Sequence, residues 1–222
     1  MDFIDFSWFN VPELVSRLIA IVISLAFHEW AHAYSAFKLG DPTARNLGRM
    51  TVNPLAHIDL IGFLALIIVR FGWAKPVPIN LRNFKNPRRD DIIVSVAGVC
   101  TNLLLAFAFT GIGLGFGLIM IYGGIVMTDG SFLGSLVGNF IFINLALFVF
   151  NLIPVPPLDG YHVFHDIFIR QIGHGIFDFL ERNGRYILLM LLLSGIITAI
   201  LSWAVSGLLT GMQQIYAVLF GL

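Results

Sequence analysis

One cysteine, Cys100, is the whole thiol content of this 222-residue chain, so no internal disulfide forms and a cysteine-rich metal site is excluded. Charge is almost as scarce. Asp, Glu, Lys and Arg together make up 12% of the residues, about half the usual share of a soluble domain. Hydrophobic residues make up 58%, and the mean hydropathy is +0.88. A soluble globular enzyme is therefore excluded, and a polytopic membrane protein is expected. The formal net charge is zero, so no basic excess points to nucleic acid. The run Arg82–Asp91 reads as a topology determinant beside anionic lipid head groups, with no nucleic-acid partner. The basic start of a cleavable signal peptide is missing too, since Met1-Asp2-Phe3-Ile4-Asp5-Phe6 places acid there. The first apolar helix should be retained, and with no repeat or low-complexity tract, 1–222 reads as a single integral-membrane domain.

What is present is long apolar runs. Helices are expected at about 12–37, 92–120, 132–153 and 186–208. The apolar stretch 60–71 rises only about 18 Å as a helix, well short of a roughly 30 Å hydrocarbon core, so it is expected to be re-entrant or interfacial. Around it, 47–53 and 75–80 carry prolines and turn residues and read as short edge strands. If 60–71 is re-entrant and 160–185 is a loop on the same side, 12 of the 13 basic residues share one face, and only Arg17 lies apart. The positive-inside rule makes that crowded face cytoplasmic. The stretch 209–222, without charge, is left open as half-helix, interfacial helix or return span.

Against this apolar background stand His28-Glu29-Trp30-Ala31-His32. Imidazoles four apart on a helix share a face and can reach one zinc ion, while the carboxylate between them can take a proton from a water that the metal polarises. Ionisable groups at membrane depth are costly and by default functional. A zinc hydrolase site needs a third protein ligand and an open position. Asp159, in Asn151-Leu-Ile-Pro-Val-Pro-Pro-Leu-Asp-Gly160, is the candidate. Three prolines there break a helix, and broken backbone at membrane depth belongs where it lines a polar cavity. An Asp-Gly turn after a helix is the plainer reading of the same residues.

These motifs, with Ala97-Gly98-Val99-Cys100-Thr101-Asn102 between them, resemble the site-2 protease family of intramembrane zinc metalloproteases, in the small prokaryotic form without PDZ or CBS domains. The resemblance covers about 12–165. It implies an all-α polytopic helical bundle with a three-helix catalytic core and one zinc ion held by His28, His32 and Asp159, with Glu29 as catalytic base. It further implies cleavage of peptide bonds in or near transmembrane segments of proteins in the cell membrane. Family members usually carry proline where this chain has Val99, which bears on how Asn102 is presented. Asn102 and Asn151 are candidates for substrate or oxyanion contacts, or for purely structural hydrogen bonds, and His57 is a candidate substrate contact or a loop-bonded histidine. A divalent-metal transporter and a catalytically silent protein that binds transmembrane helices are the alternatives. The sequence selects no oligomeric state.

Overall fold

The computed structural model describes residues 11–69, 72–122 and 124–220. The amino-terminal acidic stretch and Arg70 lie outside the described residues. Eight α-helices and one two-stranded sheet make up the regular structure among the described residues. They are α1 (Val11–Lys38), α2 (Thr43–Asn46), α3 (Leu60–Val69), α4 (Pro87–Gly115), α5 (Phe132–Asn151), α6 (Asp159–Ile172), α7 (His174–Leu193) and α8 (Ile196–Phe220), with β1 (Ile119–Tyr122) and β2 (Ile125–Thr128). Helices α1, α4, α5 and α8 are each long and apolar enough to cross a membrane. The fold is that of an all-α polytopic membrane protein.

Helices α1, α4 and α5 pack against one another, and polar side chains set their register. Near one end, the Asn139 amide of α5 donates to Ser16 Oγ of α1 at 2.9 Å. Deeper in, Asn144 of α5 reaches Ser24 of α1 at 2.8 Å. Helices α1 and α5 thus run parallel, with α4 between them running the other way. In an apolar surround a buried polar group needs a partner, so two amide contacts fix the pairing more firmly than interchangeable aliphatic contacts can. The main apolar cluster joins Ala106 of α4 with Val137, Ile141 and Leu145 of α5 and Val205 and Leu209 of α8.

Three expectations are corrected. The stretch 160–185, read as a loop, is mostly the helices α6 and α7. Its charged residues mask a buried stripe, Tyr161, Ile169 and Phe177, that packs as one cluster. The expected helix 186–208 is cut at Gly195, whose φ of 77° lies in the left-handed region that an L side chain disfavours. An apolar run hides such a turn, so the last candidate span is 196–220 and takes in most of the stretch left open. The short strands are a hairpin after α4, at 119–122 and 125–128, and not the stretches 47–53 and 75–80. Among the described residues the latter pair contributes to no named strand, and an isolated bridge, Ile58 to Ala74, joins the two sides of the α3 excursion.

That bridge brings the entry and exit of the α3 excursion together. A Cβ on Gly72 would lie 2.8 Å from Leu66 Cβ and run into the Gly62 carbonyl, so the chain doubles back on itself there. Ten residues of α3 rise about 15 Å, too short to cross a roughly 30 Å hydrocarbon core.

Past the end of α1, Asp41 is fully buried. It accepts from the Thr43 N–H (3.1 Å), Thr43 Oγ1 (2.5 Å), the Asn80 N–H (2.8 Å) and Asn83 Nδ2 (2.6 Å). Burial alone would raise its pKa, but these four donors outweigh it and hold the carboxyl below the usual range. A depressed folded-state pKa contributes stability above the unfolded value, and that contribution is lost as pH falls towards the folded value. Thermal unfolding in detergent should therefore show a wild-type melting temperature that drops as pH is lowered below about 4. Asp41→Asn should flatten that acid limb and cost about 1–3 kcal/mol at neutral pH.

Candidate metal centre

The site assembles where α1, α4 and the start of α6 meet. His28, Glu29 and His32 are all buried on α1. Asp159 is the first residue of α6, just after the broken stretch 152–158 that ends α5. Helix α5 stops at Asn151 because Pro154 and its neighbours cannot continue the ladder. The chain then turns tightly enough that a Cβ on Gly160 would come within 2.8 Å of the Ile153 carbonyl oxygen. Pro156 seats against Gly184 of α7, where a Cβ would meet its ring at 2.8 Å. The break is thus braced against α7, and it aims Asp159 at the histidines.

Asp159 Oδ2 lies 3.2 Å from His28 Nε2 and 3.4 Å from His32 Nε2. The two Nε2 atoms are 2.9 Å apart. Among the described residues these three offer one ligand atom each, close enough to hold one metal ion. Tetrahedral zinc with ordinary bond lengths places its ligand atoms about 3.3 Å from each other, which these separations approach.

The far side of each ring decides what the near side presents. His32 Nδ1 faces the Val94 carbonyl at 2.8 Å, so Nδ1 carries the proton and Nε2 is a bare lone pair. For His28 the assignment runs through two amides. Asn144 Nδ2 donates to the Phe140 carbonyl at 2.8 Å, which turns Asn144 Oδ1 towards Asn102 Nδ2 at 2.8 Å. Asn102 Oδ1 is left facing His28 Nδ1 at 2.7 Å, so His28 Nε2 is also a lone pair. Asp159 Oδ2 is buried with no hydrogen-bond partner. Two lone pairs and an anionic oxygen facing one point fit a cation.

Helix α4 backs the site at Gly98. A Cβ there would lie 2.7 Å from His28 Cε1 and would run into His32 Nε2. Only a glycine lets α4 approach the two rings this closely. Helix α4 runs unbroken through Val99, and Asn102 reaches His28 with no proline in between.

Glu29 Oε2 accepts the Val77 N–H at 2.8 Å. The chain 75–80 is a strap across the site, tied at several points. The Lys75 N–H donates to the His57 carbonyl at 2.8 Å, Arg49 Nη2 to the Lys75 carbonyl at 2.7 Å, and the Asn80 N–H to Asp41. Pro76 and Pro78 have no N–H to satisfy, so from Lys75 to Ile79 the strap's donors fall on alternate residues.

The structure thus brings together His28, Glu29, His32 and Asp159, with Asn102 behind His28. Both ends of the Asn102 amide are engaged and the residue is fully buried, which places it with the structural alternative, away from a substrate contact. Asn151 donates back to the Leu147 carbonyl of its own helix at 3.0 Å. His57 Nε2 donates to the Thr51 carbonyl at 2.8 Å, and its buried Nδ1 is unpartnered. The sequence reading gave no role to Gly98, Asn144 or Ser24, and it placed Val77 on an edge for unwound substrate with no tie to Glu29. For Gly98 the signal available was a glycine inside an apolar helix; for Val77 it was alternation with prolines.

A helical membrane protein with a two-histidine, one-carboxylate metal centre and a glutamate between the histidines is a membrane metallohydrolase. Residues 114–195 match the model of Peptidase family M50. The chain is 43% identical over 166 residues to YwhC of Bacillus subtilis, named as a candidate zinc metalloprotease, covering 73% of each chain. It is 33% identical over 147 residues to Rip2 of Mycolicibacterium smegmatis, similarly named, covering 63% of this chain and 52% of that one. A protein of Methanocaldococcus jannaschii with the same kind of name is 31% identical over 154 residues, with 68% and 70% covered. No solved structure matches. The chain belongs to the M50, or site-2 protease, family of metallopeptidases.

Gly98→Ala should displace both rings and abolish stoichiometric metal, measured by elemental analysis of purified protein whose helical circular dichroism is unchanged. Asn102→Leu should leave His28 free to rotate and weaken metal affinity about 10–100-fold in a chelator competition.

Proposed function

We propose that this chain is an intramembrane zinc endopeptidase that hydrolyses peptide bonds in or near transmembrane segments of other proteins. The observation that carries this is the convergence of His28 Nε2, His32 Nε2 and Asp159 Oδ2 within 3.4 Å, with Glu29 on the same helix. Zinc is the metal that suits two imidazoles and a carboxylate with one position open, and in such a site it supplies Lewis acidity to water and to a peptide carbonyl.

The chain's own residues do the rest. Glu29 takes the proton of the attacking water and returns it to the departing amine. Its Oε2 is held by the Val77 N–H, which leaves Oε1 without a hydrogen bond among the described residues and available for that proton. Asn102 and the Val94 carbonyl hold the imidazoles to one tautomer and one orientation throughout. A helical substrate hides its amides in its own hydrogen bonds, so it must unwind before it is cut. The strap offers the unwound segment an edge, because the Val77 carbonyl and the Ile79 N–H carry no hydrogen bond among the described residues.

The charge distribution supports a cytoplasmic site. Of the 12 basic residues described, all but Arg17 lie at or beyond the end of the bundle that holds the metal ligands. The competing readings differ in one readout. Glu29→Gln should keep zinc yet lose cleavage of a transmembrane peptide library in liposomes by about 10²–10⁴-fold. A metal transporter would keep metal flux in that variant. A silent helix-binding protein would cut nothing as wild type.

A further inference from the structure

One turn before Glu29 on α1, a small cavity opens between that helix and the re-entrant segment. Ile21, Val22 and Leu25 form one wall, and Phe63 and Leu66 of α3 form the other. Its volume is about 40 Å³. A water-sized sphere occupies roughly 10–15 Å³ on this measure, so the space takes about three heavy atoms, the size of a valine side chain.

The lining is mostly apolar. His57 lies in the wall, 2% exposed, with its Nε2 donating to the Thr51 carbonyl at 2.8 Å. Asp59, also in the wall, caps α3 through the Gly62 N–H at 2.8 Å. A trapped water needs two to four polar partners, whereas an aliphatic group needs none. What suits the site is a short aliphatic group.

We propose that this cavity is a specificity pocket for the unwound substrate, receiving an alanine- to valine-sized side chain. The proposal rests on the protease reading above. Leu25 precedes Glu29 by four residues on the same face, about 6 Å along the helix axis, which equals about two residues of extended chain. The side chain bound is therefore about two residues from the scissile bond. The Ile58–Ala74 bridge and the Gly62–Gly72 approach hold the α3 wall in place, so the pocket's size is fixed by backbone.

The test uses the full-length protein in liposomes with a transmembrane peptide library randomised around the cleavage site. Wild type should prefer Ala or Val over Leu or Phe at a single position. Leu25→Ala and Leu66→Ala, which enlarge the pocket from opposite walls, should shift that preference to Leu or Phe by about 10-fold or more. Zinc content, read separately, should be unchanged in both variants. If wild type cuts but both enlarged variants keep its profile, the pocket assignment is overturned and the protease reading stands. If wild type binds zinc and cuts no peptide, the protease reading falls and the pocket falls with it.

Discussion

Two imidazole Nε2 atoms and a carboxylate oxygen face one another within 3.4 Å, and each ring's Nδ1 is turned to an acceptor behind it. In a low-dielectric interior that arrangement is repulsive unless a cation stands at its centre. Much of the remaining structure exists to hold it. The amide chain from the Phe140 carbonyl through Asn144 and Asn102 fixes one ring, and the Val94 carbonyl fixes the other. Gly98 removes the side chain that would push both aside. The same hydrogen bonds lock α1, α4 and α5 together, so the core packing and the metal ligation are one set of contacts. A substitution that loosens the bundle there also loosens the ligands.

The third ligand shows what a membrane site demands of the backbone. Helix residues satisfy their own N–H and C=O groups, whereas a break at depth must find other partners. Here the Val155 N–H finds the Ile153 carbonyl at 2.9 Å, the Leu158 N–H finds the Val155 carbonyl at 3.0 Å, and proline removes three donors altogether. The prolines therefore end α5 and also lower the number of groups that the break must satisfy. Glycines at 160 and 184 then let the turn and α7 close over it.

The parts legible in the sequence are those with a local signature. His28, Glu29 and His32 announce themselves by spacing, and Asp159 by a carboxylate in a proline-rich break of an apolar helix. The start of α5 coincides with that of its apolar run, because hydropathy reads where lipid contact begins. Three things were not local. The partner of Asn102 depends on which helix lies beside α4, a tertiary fact. The helicity of α6 and α7 was hidden because their apolar stripes are diluted by charge and read as polar on average. The edge of the strap is visible as alternating prolines, but that its donors turn to Glu29 rather than to a neighbouring strand depends on where α3 returns the chain.

Depth ties these features to the proposed chemistry. His32 stands six residues before the end of α1 and His28 ten, which places the metal ligands about 9–15 Å in from the charged end of the helix. At that depth, helices of a substrate lie alongside in lipid, while the hydrolytic water must come from the charged end. The strap lies between those two supplies. Its outer attachments, Arg49 and Asp41, are charged groups bonded near the polar face, and its inner attachment is the Val77 N–H on Glu29. The backbone that sets the position of the base is therefore also the backbone nearest to where an unwound substrate would lie. Any substrate that pairs with Val77 and Ile79 must do so without breaking the bond that aims Glu29, which restricts it to the carbonyl of the first and the amide of the second.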